Sequence, residues 1–417
     1  MYLQTQHSAL SRVAYGTCLI LMMMSNASCG AGFGGPQDVT PLTGRSPGVE
    51  PIYAAPNWRF PLYVDLIEAK PHKEFASPGV DDTRSIVYYG GSSSDLFAVE
   101  AATGRARWQV PIQGGVRGAI QAHDGLVYVG NGNRELVALD ADRGETKWKY
   151  RVQGVITKGV RISGERLIAV DGTNTVYALN RKTGEWVWQY RRDPPAHFAV
   201  FGEARPLVSG DKIFIGFSDG HLACLSATDG ALLWLRNLAP NRPKFPDVDA
   251  DPVMASDSLY AASIGGGVYA LDPATGKERW SVPITNIVAM AQQGDHLLMA
   301  KGSGALMRYD TYKRKISWQT TFNPDAGSPG TPVEFGDFII VGLSAGPLYW
   351  LDSRTGRPVQ HLQTGSGFFG PPAVAADGGV FALSNGGVVY GYSAGKKKTR
   401  IQRMPTPLTG SRDRGPF

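Results

Sequence analysis

At 417 residues and 42% hydrophobic content the chain can bury a large core, and length alone suggests two or three domains. The formal charge of +6 raises nucleic acid or an anionic membrane as a partner, but Lys396, Lys397, Lys398, Arg400, Arg403, Arg412 and Arg414 against Asp413 account for all of it. The remainder is neutral, which argues against a basic nucleic-acid-binding face, and three cysteines, two of them before residue 30, exclude a disulfide within the folded part.

Residues 1–28 read as an export signal. Arg12 precedes VAYGTCLILMMM, an apolar stretch of signal-core length and too short to span a bilayer as a helix. Ala27 and Ser28 then lead into Cys29, a pattern that resembles the lipobox of bacterial lipoproteins, in which the cysteine is lipidated and becomes the first mature residue. Asn26 departs from the leucine of that pattern, so plain cleavage stands as the alternative. Gly30, where retained lipoproteins carry aspartate, implies sorting to the outer membrane. Residues 29–57 are rich in Gly and Pro without an apolar period, as expected of a flexible tether.

From residue 58 to about 395 one unit repeats. EAATGRARW ends at Trp108, DADRGETKW at Trp148, NRKTGEWVW at Trp188, SATDGALLW at Trp234 and DPATGKERW at Trp280; DTYKRKISW, ending at Trp318, is weaker, and DSRTGRPVQ places Gln360 where the tryptophan belongs. Two apolar strands precede each copy, as in LVYVG and ELVALD, and a pure β period of this length predicts a propeller with one unit per blade. The hairpins open on Asp140, Asp272 or Asp352 and close on Gly144, Gly276 or Gly356, so these aspartates are read as turn formers. The tryptophans are read as structural, with stacking on a cofactor as the alternative. Cys224 occupies the position of Ala138, Ala178 and Ala270 and is read as a small buried hydrophobe rather than a reactive thiol.

Second strands near Val87, Val127, Ile168, Phe214, Leu259, Leu297, Ile339 and Val380 count eight copies. The last copy stops before its tryptophan strand, and WRFPL at Trp58 matches WQVPI at Trp108 and WSVPI at Trp280. The expected fold is therefore all-β: an eight-bladed propeller of four-stranded antiparallel blades, closed by the N-terminal strand completing the last blade. Seven blades remain possible if one weak copy is irregular. Residues 396–417 read as a disordered basic tail, with contact to anionic lipid as the minority reading.

The rhythm breaks twice. Trp108 to Trp148 and Trp148 to Trp188 are 40 residues each, whereas Trp188 to Trp234 and Trp234 to Trp280 are 46. The extra length falls in RRDPPAHFAVFGEARP from Arg191 and NLAPNRPKFPDVDADP from Asn237, which carry Phe198, Val200, Phe201 and Phe245 beside Asp247, Asp249 and Asp251. Apolar side chains on a proline-stiffened loop beside carboxylates suit a partner-binding patch; capping of the core is the plainer alternative. The interval from Trp58 to Trp108 is longer still, at 50, and its segment KPHKEFASPGVDDTRS is expected to be a polar surface loop.

With these loops the chain resembles the BamB family, outer-membrane lipoproteins of the β-barrel assembly machinery. FGEARP around Gly202, DVDADPV from Asp247, and the run from TPVEFGDFIIVGLSAGPLYWLDSRTG to GPPAVAADGGVFALSNGGVVYGY carry the resemblance. It implies a noncatalytic scaffold without cofactors, held on the periplasmic face of the outer membrane through Cys29, whose long loops bind the periplasmic POTRA domains of a BamA-type barrel. Unfolded outer-membrane proteins are further implied partners. Matched by motif, the contacts would be Asp247, Asp249, Phe198 and Val200. The family arginine ahead of the Gly-Glu pair is Phe201 here, which puts one ionic contact in doubt, and Arg205 is its neighbouring candidate replacement.

Similar repeats build quinoprotein dehydrogenases, which hold PQQ and calcium at the propeller centre. Those enzymes have adjacent cysteines, absent here, and the seven histidines of this chain show no metal-ligand spacing. No Gly-rich phosphate-cradling loop follows a strand into a helix either. An exported propeller that binds another protein or a polysaccharide is the third reading.

Overall fold

Apolar runs flanked by Asp- and Gly-containing turns leave each repeat little choice but a meander of strands, and the repeats stack because one alone cannot bury both faces of its sheet. The computed structural model describes residues 56–62, 74, 76–92, 95–193, 204–240 and 244–393, all within one compact unit, Gln37–Phe417. Cys29, most of the expected tether, and the basic tail lie outside the described residues. Eight four-stranded antiparallel sheets form the blades of a propeller ring. Seven take their strands in chain order: blade 1, for example, consists of Gly79–Asp81, Ile86–Gly90, Asp95–Glu100 and Ala106–Pro111.

Blade 8 closes the ring as the sequence predicts. Ala373–Val374, Gly379–Leu383 and Val388–Ser393 supply three strands, and Pro56–Pro61 supplies the fourth, with Trp58 opposite Gly391 and Phe60 opposite Val389. This strand begins at Pro56, two residues before the expected start of the repeats at Trp58. Its aromatics enter the cluster that joins blade 8 to blade 1: Phe60 lies 5.6 Å from Tyr89 and 5.3 Å from Phe97, and Trp58 lies 5.8 Å from Phe381, between ring centroids.

The recurring tryptophan fastens neighbouring blades. Trp58, Trp108, Trp148, Trp188, Trp234 and Trp318 each donate the indole N–H to a hairpin carbonyl of the next blade, on Ala101, Ala141, Arg181, Ala227, Pro273 and Ser353, at 2.8 to 3.2 Å. The hairpin aspartates accept backbone amides as expected: Asp140 Oδ1 takes Asp142 N and Arg143 N at 3.0 Å, and Asp352 Oδ1 takes Thr355 N at 2.7 Å. The closing glycine has two reasons to be glycine. At Gly184 φ is +75°, and a Cβ there would stand 2.6 Å from Trp148 of the preceding blade.

Two departures from the repeat have physical substitutes. Where blade 6 carries Arg314 in place of the glycine, that residue takes φ +53° and lays its guanidinium over Trp280, 5.5 Å from the ring centroid. In blades 1 to 5 the tryptophan stands opposite a small residue, Ala98, Ala138, Ala178, Cys224 or Ala270. In blade 7 the pair is reversed: Gln360 stands opposite Trp350, so the large ring has moved one strand inward and is 1% exposed. Cys224 is thus small because Trp234 faces it, and burial pushes its thiol up to about 12.

One expectation needs correction. The segment 70–85, read as a polar surface loop, contains the innermost strand of blade 1, Gly79–Asp81. Ala76 and Ser77 are buried, and Glu74, 1% exposed, accepts Ser92 N at 2.8 Å and Ser92 Oγ at 2.7 Å. Its polarity is satisfied inside the molecule.

Candidate functional site

The two long connections leave and re-enter neighbouring blades. The first follows Trp186–Arg191, the outer strand of blade 3, and delivers the chain to Leu207–Ser209, the inner strand of blade 4; the second follows Leu232–Asn237 and delivers it to Val253–Ala255 of blade 5. Phe198, Val200 and Phe201 lie outside the described residues, whereas Arg205, Asp247 and Asp249 lie within them.

Both ends of the first connection are pinned by charge. Arg192 Nε donates to Asp219 Oδ2 of blade 4, and Arg192 N donates to Asn174 O at 3.1 Å. Asn174 in turn exchanges hydrogen bonds with Ser218, at 2.9 Å through Nδ2. Beneath this corner the buried Asp171 accepts Gly154 N at 2.6 Å, Thr173 N at 2.9 Å, Thr173 Oγ1 at 2.6 Å, Thr175 N at 3.2 Å and the Tyr177 hydroxyl at 3.0 Å, which fixes the loop from which Asn174 projects. At the far end Arg205 meets the second connection: its N donates to Asp251 Oδ1 at 2.7 Å and its Nε to Asp251 Oδ2 at 3.1 Å.

The second connection lies flat on blades 4 and 5 through its own backbone. Leu238 N donates to Gly220 O at 2.8 Å and Val248 N to Phe217 O at 3.2 Å; Ile264 N donates to Asp247 O at 2.9 Å, Gly265 N to Phe245 O at 3.0 Å and Ser263 Oγ to Pro246 O at 2.7 Å. Val248 and Ala250 are fully buried. Asp247 is also fully buried and Asp249 is 7% exposed, so both carboxylates sit inside the connection rather than on its outer surface. Among the described residues of the stretch 238–252, Pro240 and Lys244 are exposed, and Lys244 Nζ lies 5.3 Å from the centre of the half-buried Phe245 ring. Sequence reasoning missed Lys244; its place beside Phe245 was the available signal.

A second cation stands behind Arg205. Arg161, half-buried on Val160–Ser163, the inner strand of blade 3, donates Nε to Pro206 O at 3.3 Å. Burial, and next the like charge of Arg205, hold its guanidinium well below the usual range, at about 10, although Asp251 opposes the shift. Among the described residues no group of three or more His, Cys, Asp and Glu side chains is arranged to hold a metal ion. The described part of the site is thus loop backbone anchored on blades 4 and 5, with a cationic corner at Arg161 and Arg205.

Known proteins agree with this architecture. The family model described as outer membrane protein assembly factor BamB matches residues 92–320, more than half of the chain. A BamB from Legionella pneumophila (strain Paris) is 26% identical over 189 residues, covering 44% of this chain and 49% of that protein, so the chain spans about half the length of such relatives. Among solved structures, BamB from Moraxella catarrhalis superimposes with a TM-score of 0.70 at 21% identity, over 82% of this chain and 99% of that one. The quinohemoprotein alcohol dehydrogenase from Comamonas testosteroni has a TM-score of 0.64 at 16% identity, over 86% of this chain and 78% of that one, a likeness of fold alone. Repeat, ring and family model converge: the chain belongs to the family of the outer membrane protein assembly factor BamB.

Proposed function

We propose that this chain is a noncatalytic scaffold of the outer-membrane β-barrel assembly machinery, docking on the POTRA domains of a BamA-type barrel through its two long connections. Lipid on Cys29 would hold it to the periplasmic face of the outer membrane. The observation that supports the reading is the anchoring of the described parts of these connections: ion pairs of Arg192 with Asp219 and of Arg205 with Asp251, and backbone bonds at Leu238, Phe245, Asp247 and Val248, hold them in place without a partner. A preformed surface loses less freedom on binding. In this arrangement Phe245 and Lys244 touch the partner, as do Phe198, Val200 and Phe201, while Asp247 and Asp249 shape the surface from within.

The test is co-purification of the full chain with the POTRA region. Phe245→Ala combined with Lys244→Glu is expected to weaken binding by about 2 kcal/mol, roughly thirtyfold, as loss of a central aromatic does. Undiminished binding after removal of residues 195–202 in the same background would sink the reading. Retention of PQQ with calcium-dependent alcohol oxidation would replace it with the dehydrogenase reading.

A second role is favoured by one observation. The outer strand of blade 4, Leu232–Asn237, exposes Leu232, Leu233 and Leu235 at 45%, 48% and 38% along an open backbone edge. Such an edge accepts an added strand, and extended outer-membrane protein clients are the proposed occupants. Leu233→Lys with Leu235→Lys should abolish capture of an unfolded barrel protein and leave POTRA binding intact; unchanged capture removes this role.

A further inference from the structure

We propose that Arg161 and Arg205, at the inner margin between blades 3 and 4, form a binding site for a carboxylate on an acidic segment of the docked partner protein. This deepens the docking reading and rests on it. Asp251 is the carboxylate that acts on both guanidiniums, but its oxygens are taken by Arg205 N and Nε, and Arg161 feels it only through space. Among the described residues Arg161 makes one side-chain hydrogen bond, through Nε, so both of its terminal nitrogens are left to donate.

Beyond the one bond to Pro206 O the fold gives no reason for this charge, and the repeat supplies the control. Arg161 pairs with Ile168, which pairs with Ala178. The same register in the sister blades puts Gly79, Gln121, Leu207, Val253, Ala291, Val333 and Ala373 at this place, none of them charged. Seven blades therefore pack with a neutral residue where blade 3 carries a cation against its own interest: burial and Arg205 both disfavour the charged form. A charge that costs the free molecule stability is the mark of a binding site completed by its ligand. The planar fork of a guanidinium, doubled here, suits a carboxylate, and Arg205 belongs to the first long connection, so the site is continuous with the docking surface.

In the full chain, Arg161→Met and, separately, Arg161→Gln are expected to raise the thermal midpoint while weakening binding of the POTRA region at least tenfold, with a shallower dependence on NaCl concentration. An arginine with a structural role only would lower the midpoint. If the parent chain binds and both variants match its affinity and salt dependence, the site is overturned and docking stands. If the parent chain does not bind the POTRA region, docking falls, and a hexaglutamate peptide then decides the site: at least tenfold tighter binding to the parent than to R161M supports it, and equal binding overturns it. Inorganic phosphate outcompeting acetate at equal ionic strength would overturn the choice of a carboxylate.

Discussion

Replacing Gly184 with alanine tests whether the blades are fastened as described. An alanine at φ +75° costs about 1–2 kcal/mol for the left-handed backbone alone. Its Cβ would also stand 2.6 Å from Trp148 Cδ2 and 2.8 Å from Cγ and Cε3, closer than carbon atoms tolerate. Relief requires moving an indole that is 8% exposed and hydrogen-bonded to Arg181 O at 3.1 Å, an overpacking cost of about 1–3 kcal/mol. Gly164 is the matched control: its φ is +56°, and a Cβ there meets nothing within 4 Å, so Gly164→Ala carries the backbone term only. An unfolding entropy of about 2.1 cal/mol/K per residue over a body of about 340 residues converts 1 kcal/mol to roughly 1.4 °C. Gly184→Ala should therefore melt about 1.5–4 °C below Gly164→Ala in differential scanning calorimetry. Equal midpoints would mean that the indole is not a fixed wall and that its role in joining blades is wrong.

Three further outcomes follow from named groups. Ser92→Ala removes one hydrogen bond from the buried Glu74 carboxylate and should cost about 1–3 kcal/mol in urea denaturation; a neutral effect would mean that Glu74 is satisfied without it. Burial, and next Arg308, lower the His296 pKa below its ordinary 6.5, so the unfolded chain binds the proton more readily, and stability declines as pH falls through about 6.5 towards the folded value. His296→Gln should flatten that part of the stability-pH curve, and an unaltered slope refutes the assignment. Cys224, fully buried with its thiol pushed up to about 12, should resist a thiol reagent at pH 8 in a chain carrying Cys18→Ser and Cys29→Ser and react promptly in urea; rapid labelling of that folded chain would contradict its placement.

Blade number, antiparallel order and ring closure were legible because the repeat writes them locally: Trp58 could be assigned to blade 8 from its likeness to Trp108 and Trp280. The innermost strands were harder to read. Gly79–Asp81, Leu207–Ser209 and Val253–Ala255 have three residues each, too few for an alternating pattern, and the first of them is hidden in a segment that looks like a polar loop. The site was half legible. Spacing located the two connections, but the burial of Asp247 depends on where the loop lies, and Arg161 meets Arg205 only because adjacent blades bring together positions 44 residues apart. A motif can nominate such residues, but it cannot say which of them face outward.

The closing strand also sets the order of assembly. Trp58 pairs with Gly391, 333 positions further on, so in a chain made from its N-terminus Pro56–Pro61 must wait while all the other blades are produced. Joining ends so far apart costs about 2 kcal/mol more than forming a 40-residue blade. The finished ring is therefore a late, slow product, and its many local hairpins cannot hasten that last step. Meanwhile the waiting strand is an apolar template open to the wrong neighbour. Proline at each of its ends limits that hazard, since neither can donate to an intruding strand.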